Sequence, residues 1–242
     1  MNIMSYQQEK TFLMPKSTTR FYVVATPIGN LEDITYRAVR ILSEVDLILC
    51  EDTRVTINLL NKYNIKNSTM SYHSQSKIAK IDKILELIGE GKTLALVSDA
   101  GTPTISDPGS ILVSKIREAF PDIEIIAIPG ASALVSALSI SGLPASEFTF
   151  LGFLPHKKGR ETLFKEIAEM ERTVAFYESP HRIMKTLDSL KKYIGERKVV
   201  IARELSKIYE QIVSGTPTEV EKYFIDNKDK VRGEFVVLIS QK

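Results

Sequence analysis

The run Thr93-Leu-Ala-Leu-Val97, followed by Ser98-Asp-Ala-Gly-Thr-Pro-Thr-Ile-Ser-Asp-Pro-Gly109, decides the fold. The first five residues are short and apolar and read as a buried strand. Ile111 to Phe120, beyond the loop, reads as a helix. The twelve residues between exceed the about two to six that a plain strand-to-helix connection needs. Ligands of open α/β sheets settle beyond the carboxyl ends of the strands. A long Gly, Pro, Ser and Asp loop at that place is therefore a candidate ligand site. Gly101 and Gly109 allow close backbone approach or positive φ. Helix initiation, with Ser106 or Asp107 as cap and Pro108 at the first helical position, explains the end of the loop. It leaves Asp99 to Thr102 without a role.

Outward from this stretch the same alternation repeats. Phe21–Ala25, Asp46–Cys50, Ser68–Tyr72 and Glu124–Ile128 also read as strands, being short and rich in Val and Ile. Helical patterns lie between them at Ile34–Leu42, Val55–Tyr63 and Ile78–Ile88, and Ala131–Ser139 follows the last. Strand and helix at this pitch predict a mostly parallel sheet with helices on both faces. At Ser141-Gly142-Leu143-Pro144 a helix stop meets a breaker, and the pattern changes. Strands are then expected at Phe148–Phe153, Thr173–Tyr177, Lys198–Arg203, Ile208–Val213 and Glu234–Ser240. Helices are expected at Gly159–Met170, Pro180–Tyr193 and Glu219–Ile225, the last opened by a capping box at Thr216-Pro-Thr-Glu219. The expected organisation is a flexible tail over 1–19, an α/β domain over 20–142 and a second α/β domain over 143–242.

Composition narrows the class. The chain has 242 residues, 43% hydrophobic and 26% charged, as expected of a soluble globular protein. No apolar run is long enough to cross a membrane, and Met1 to Arg20 has no apolar segment of the secretory kind. A single cysteine, Cys50, excludes an internal disulfide and a cysteine-based metal site. His73, His156 and His181 lack metal-ligand spacing, so no metal is expected. Charge is uneven: residues 151–242 carry 18 Lys and Arg against 14 Asp and Glu, whereas 1–150 carry 14 against 16. The basic clusters are His156-Lys-Lys-Gly-Arg160, Lys191-Lys192 and Arg197-Lys198. Such a bias suits either a polyanion such as RNA or a solvated surface.

Further strand ends carry unusual loops. Thr26-Pro-Ile-Gly-Asn30 has one glycine and matches neither the dinucleotide nor the Walker fingerprint. Cys50-Glu-Asp-Thr-Arg54 offers two acids and an arginine, either as catalytic or ribose-binding groups or with Asp52 or Thr53 capping the next helix and Arg54 paired to Glu51. Pro129-Gly-Ala-Ser-Ala133 leaves room for a flat ligand, or simply starts a helix. In Tyr177-Glu-Ser-Pro-His-Arg182, Ser179 and Pro180 suit a cap and first turn, while Glu178, His181 and Arg182 are surplus. Ala202-Arg-Glu-Leu-Ser-Lys207 ends a strand in a dense charged group that equally suits a salt-bridge network. No Ser-His-Asp order, nucleophile elbow or metal triad is present. Methyl transfer from a sulfonium needs none of these, only in-line positioning and removal of a proton. Pattern alone does not select it over other ligand chemistry.

Taken together, eight motifs in order resemble the ribosomal RNA small subunit methyltransferase I family, of the tetrapyrrole methylase superfamily. They are Thr26-Pro-Ile-Gly-Asn-Leu-Glu-Asp-Ile-Thr35, Glu51-Asp-Thr-Arg54, Ser98-Asp-Ala-Gly-Thr-Pro103, Pro129-Gly130, Gly152-Phe-Leu-Pro155, Tyr177-Glu-Ser-Pro-His-Arg182, Ala202-Arg-Glu-Leu-Ser-Lys207 and Arg232-Gly-Glu234. The resemblance runs from Phe21 to Ile239. It implies two α/β domains, with a mostly parallel sheet in the first, a mixed sheet in the second and the ligand cleft between them. It implies S-adenosylmethionine as methyl donor and a cytoplasmic homodimer. It also implies 2′-O-methylation of a cytidine in the decoding region of 16S rRNA in the small subunit. The donor is expected at Pro27, Gly29, Ser98, Asp99, Ala100, Gly101, Thr102, Pro129 and Ser132, with Tyr177, Ala202 and Gly233 from the second domain. Glu51, Arg54, Glu178, His181, Glu204 and Lys207 are the expected catalytic set, with Asp52 and Arg203 beside them. Arginines would grip phosphate and an acid would orient the hydroxyl.

Long members of the family continue into a helical C-terminal module, whereas this sequence stops at Lys242. Ser206 stands where the family pattern leads one to expect threonine, and it keeps the hydroxyl. Two other functions suit the same fold: methylation of a porphyrinoid carbon, and non-catalytic RNA binding.

Overall fold

A computed structural model describes residues 19–73, 78–107 and 109–242. The expected tail, apart from Thr19, lies outside the described residues, as does the helix-start role of Pro108. The described chain forms two compact units. One holds the residues up to Thr26 together with Ile34–Gly130, and the other holds Pro27–Asp33 together with Ala131–Lys242.

The first unit alternates strand and helix as the sequence predicts. Its elements are β1 (Arg20–Val24), α1 (Tyr36–Glu44), β2 (Leu47–Cys50), α2 (Thr53–Lys62), β3 (Thr69–Ser71), α3 (Ile78–Gly89), β4 (Leu94–Leu96), α4 (Gly109–Ala119) and β5 (Glu124–Ile128). The strand order is β3-β2-β4-β1-β5, and every pairing is parallel. Alternate residues of each strand serve opposite faces. Tyr22, Val24, Ile48, Cys50 and Ala95 pack with Ala38, Ile41 and Leu42 of α1 and Leu60 of α2. Phe21, Leu49, Leu94 and Leu96 pack with Ile84 and Ile88 of α3 and Leu112 and Ile116 of α4. Neighbouring β1 and β4 therefore feed helices on opposite faces, which makes their shared carboxyl edge the switch point of the sheet.

The second unit contains α5 (Ala133–Ser141), β6 (Phe148–Phe153), α6 (Arg160–Glu169), β7 (Thr173–Glu178), α7 (Ile183–Ile194), β8 (Val199–Arg203), β9 (Gln211–Gly215), α8 (Pro217–Asp226) and β10 (Phe235–Ile239). Its sheet has the order β6-β7-β10-β8-β9. β6 runs parallel to β7 and the remaining pairings are antiparallel, so the sheet is mixed. Phe176, Ile201, Phe235 and Val237 face α6, α7 and α8 through Phe164, Leu187 and Phe224. Each such ring or branched chain contributes about 1.5–3 kcal/mol by leaving water. Ala175, Val200, Ala202, Val236 and Leu238 face the other way, onto Leu134, Ala137 and Leu138 of α5.

Three boundaries differ from expectation. The units divide at Gly130 and Ala131 rather than at 142 and 143, because α5 buries its apolar side on the second sheet. The helix stop at Gly142 is present nonetheless, with φ of 67°. Next, α7 begins at Ile183 rather than Pro180. The carbonyl of Ser179 takes the N–H groups of both Arg182 and Ile183, and this turn uses up Ser179 and Pro180 before the helix starts. Finally, β9 begins at Gln211 rather than Ile208. Glu204 and Ser206 at positive φ curl the chain, and Arg203 Nη1 holds the carbonyl of Tyr209. The capping box at Thr216 and Glu219 is present as read.

Candidate functional site

In the first unit the carboxyl ends of β4, β1 and β5 lie side by side. Thr26 and Gly101 exchange backbone N–H···O bonds at 3.0 Å across the switch point. Gly101 meets this bridge with φ of 82°. The buried Ser98 hydroxyl turns inward to the carbonyls of Ala100 (3.0 Å) and Gly101 (3.3 Å). Asp99 and Ala100 are thus held by the loop itself while remaining exposed. At the end of β5, an added Cβ on Gly130 would lie 2.9 Å from the Cβ of Ala25. Only glycine allows the two strand ends to approach so closely. Small side chains and a self-supported backbone suit a flat, polar ligand read by main-chain groups. Ser132 caps α5 by position but makes no side-chain cap bond. Asp107 closes the Ser98–Gly109 loop by accepting from Thr104 N (2.7 Å) and Gly109 N (2.8 Å), in keeping with the cap read for it.

Beside this edge, the loop after β2 carries Glu51, Asp52 and Arg54. Asp52 caps α2 by accepting from Arg54 N at 2.8 Å, and its own N–H donates to Asp99 Oδ1 at 2.9 Å. The sequence reading that paired Arg54 with Glu51 is corrected. Arg54 Nη2 lies 2.6 Å from Asp52 Oδ2, with the Arg54 side chain 88% exposed. That guanidinium and the Arg54 N–H hold the Asp52 carboxyl down to about 2. Glu51 has the opposite environment. Burial first, then the charge of Asp107, with a smaller push from Asp99, drives its carboxyl above the usual range. The Asp99 N–H, at 3.5 Å, opposes the shift only weakly. No cation is ion-paired with Glu51 among the described residues.

The second unit gathers four loops at one end of its sheet, because β6, β7 and β8 end there and β9 and β10 begin there. Glu178, one of the expected catalytic set, is turned inward. Its side chain is 0% exposed and wholly engaged. It lies 2.7 Å from Arg182 Nε and 3.6 Å from Arg160 Nη2, and accepts from Thr186 Oγ1 at 2.6 Å and Ser179 N at 2.8 Å. Burying a carboxylate requires this much pairing, so Glu178 anchors the loop. Arg203 is likewise buried and donates to the carbonyls of Arg232 and Tyr209. His181 is exposed on the turn before α7.

Glu204, Lys207 and Glu234 form a half-open cluster at the same end. Lys207 Nζ lies 2.9 Å from both Glu204 Oε1 and Glu234 Oε2. Burial works to raise the Glu204 carboxyl, but Lys207, the Glu234 N–H and Arg203 together outweigh it and hold it low. Gly233, at φ of 87°, passes so close to Glu204 that an added Cβ would stand 2.4 Å from its Cδ. The Lys207 stem packs against Gly29 in the same way, and Ser206 Oγ donates to Asp33. Tyr177 is half-buried with its ring 5.0 Å from Phe150 and 5.5 Å from Phe153, and burial pushes its phenol up. Ala202 is buried beneath α5, so it offers a ligand backbone only. No group of three or more His, Cys, Asp or Glu suited to a metal occurs among the described residues.

The sequence reading missed Arg160. It sits in a basic cluster where a solvated position is expected, yet it is buried, with its charge turned to Glu178. Its place directly after Gly159, at the first position of a helix, was the available signal.

Tetrapyrrole (corrin/porphyrin) methylases match residues 20–221. The ribosomal RNA small subunit methyltransferase I of Thermotoga maritima is 47% identical over 224 residues, covering 92% of this chain and 99% of that protein. The chain belongs to this family. The relative of the same name from Halalkalibacterium halodurans is 46% identical over 237 residues, covering 97% of this chain and 78% of the relative. A solved structure, uroporphyrin-III C-methyl transferase from Thermus thermophilus complexed with S-adenyl homocysteine, gives a TM-score of 0.62 at 19% identity. It covers 91% of this chain and 97% of that one, and it speaks to the shared fold. The family expected from the eight motifs is the family found.

Proposed function

We propose that this family member methylates the ribose 2′-hydroxyl of a cytidine in the decoding region of 16S rRNA, on the small ribosomal subunit. The observation that carries the reading is kinship across nearly the whole length of a ribosomal RNA small subunit methyltransferase I. S-adenosylmethionine, when bound, supplies a methyl group on a sulfonium centre. The loops Ser98–Thr102 and Pro129–Ser132, with Pro27 and Gly29, are the residues that hold it, aided by Tyr177, Ala202 and Gly233. Their glycines and self-bonded backbone support that role.

A ribose hydroxyl is a weak acid, and a positioned base assists its loss of a proton. Of the three glutamates expected at the site, Glu178 and Glu204 are committed to internal cations. Glu51 is not, and its raised pKa brings it closer to the hydroxyl it would serve. Glu51 is therefore the base in this proposal, and it takes the proton as the oxygen gains the methyl. Arg54 and Lys207 meet phosphate, the first because it projects into solvent beside Glu51. His181 lies on an exposed turn open to the acceptor. A ribosomal acceptor places the protein in the cytoplasm. We propose a homodimer as well: β9 is an edge strand, and its Ile212, with Ile208 and Tyr209 just before it, presents apolar surface for a second copy.

Labelled S-adenosylmethionine incubated with 30S subunits lacking ribose methylation, or with uroporphyrinogen, tests the assignment. Label on one cytidine 2′-oxygen after nuclease mapping is the expected result. Label on the tetrapyrrole instead, or donor binding with no transfer to RNA, refutes it.

A further inference from the structure

The end of the second sheet holds a surplus of positive charge that the reaction above does not use. Two guanidiniums, those of Arg160 (8% exposed) and Arg182 (15% exposed), share the single carboxylate of Glu178. One positive charge is left over beneath the surface, and Arg160 Nε is buried with no hydrogen-bond partner. The same two side chains tie down the loop after β6. Arg182 Nη1 donates to the carbonyl of Leu154 at 2.8 Å, and Arg160 Nη1 donates to that of Pro155 at 3.2 Å. On this fixed base stand His156, Lys157 and Lys158, all exposed. Neither lysine has an ion-pair partner among the described residues. The nearest acid in sequence, Glu161, is already taken by Tyr193 (2.5 Å), Lys165 and Lys192. Phe153, at the last position of β6, is 57% exposed beyond an irregularity between Phe150 and Phe153, where Gly152 takes φ of 60°. Such irregularities re-aim a side chain at a sheet edge.

Lysines on a rigid loop, a buried cation surplus below them and a projecting aromatic ring are the elements of a nucleic-acid dock. The geometry points to the loop Phe153–Arg160, with His181 and Arg182, as a docking site for the phosphate backbone of RNA, with Phe153 stacking on a base. The inference rests on the ribosomal RNA reading and specifies where the acceptor is gripped. Charge complementarity favours a phosphate backbone over an apolar partner. Lys157 and Lys158 meet phosphates, and Glu178 and Arg160 position them without touching RNA.

The test is binding of the full chain to fluorescently labelled 30S subunits from about 50 to about 200 mM salt. Removing two phosphate contacts lowers the salt slope by about 1.6. The K157Q/K158Q chain should therefore bind about a hundredfold more weakly at the low end and about tenfold more weakly at the high end. F153L should weaken binding about fivefold at every salt concentration, because stacking is not a counterion effect. Thermal unfolding followed by far-UV circular dichroism should match the parent in both variants, which shows that they fold. Parental affinity and slope in K157Q/K158Q would overturn the dock, as would a loss that does not change with salt. Parental binding by F153L would remove the stacking role. If the unsubstituted chain methylates 30S subunits while K157Q/K158Q binds them normally, the dock alone fails. If the unsubstituted chain neither binds nor methylates them, the ribosomal RNA reading fails and takes the dock with it.

Discussion

Replacing Glu178 with Gln removes one buried charge and no volume. The carboxylate accepts from Thr186 Oγ1 at 2.6 Å and Ser179 N at 2.8 Å, and faces Arg182 at 2.7 Å and Arg160 at 3.6 Å. One rotamer of Gln turns its NH₂ to Ser179 N and Arg182, donor against donors; the other turns it to Arg160 and to Thr186 Oγ1, a hydroxyl that already accepts from Arg160 Nη2. Two guanidiniums, 8% and 15% exposed, also lose their counter-charge. Breaking one side of a buried ion pair costs about 3–5 kcal/mol. The partial exposure of Arg182 puts the expected loss near the low end, about 3 kcal/mol. The chain has no tryptophan, so urea unfolding is followed by far-UV circular dichroism. At a slope of about 2–3 kcal/mol/M the midpoint falls by about 1–1.5 M. Methyl transfer per folded molecule should change far less than stability. A midpoint within about 0.3 M of the parent, together with a collapse in turnover, would refute the anchoring role and return Glu178 to the substrate.

Glu51→Gln should lower methyl transfer about 10²–10⁴-fold with donor binding intact. The folded pKa of Glu51 lies above its unfolded value, so its stabilising contribution is complete below the unfolded pKa and is lost as pH rises through the folded one. At pH 8 the Gln variant should therefore melt higher than the parent, and a lower melting temperature by calorimetry would contradict the burial argument. Asp52 behaves oppositely: its contribution is present above the ordinary carboxylate pKa and is lost as pH falls through about 2. A carbon-13 titration should find its midpoint there in the parent and nearer the ordinary value in R54Q, while an ordinary midpoint in the parent would sink the pairing. Gly130→Ala presses a methyl to 2.9 Å from the Ala25 Cβ. Overpacking of this kind costs about 1–3 kcal/mol, and calorimetry should show weaker S-adenosylmethionine binding, so parental stability and affinity would deny the close approach any role.

The alternation of elements was legible because each strand carries its own two-sided signal. Phe21 and Tyr22, or Leu49 and Cys50, are adjacent in sequence and serve opposite cores. The capping roles of Asp52 and Thr216 were legible for a similar reason, since a cap and the N–H it serves lie within one turn. Ranges failed where an irregular turn delays the element. The start of α7 depends on a turn around Ser179, and that of β9 on Arg203 reaching the carbonyl of Tyr209. The roles within Tyr177–Arg182 were hidden because Glu178 turns inward to Arg182, Thr186 and Arg160 together, and residue types alone do not say which way a carboxylate turns. At the other acidic loop, Arg54 had two carboxylates within reach in sequence, and only geometry chooses Asp52. Opposite pKa directions for neighbours such as Glu51 and Asp52 have no sequence signature at all.

The segment Pro27–Asp33 is covalently framed by the first unit yet belongs to the second. Ile28 is buried in the second unit's core, Gly29 bears on Lys207, and Asp33 accepts from Ser206. The polypeptide consequently passes from one unit to the other at three peptide junctions, after Thr26, Asp33 and Gly130. No single cut yields two self-sufficient halves. A fragment ending at Gly130 carries Ile28 of this strap with no core to receive it, and a fragment starting at Ala131 lacks the Ile28 that its core buries. The two units are thus tied as one heritable piece: neither can be exchanged between relatives by a single crossover without also exchanging the strap.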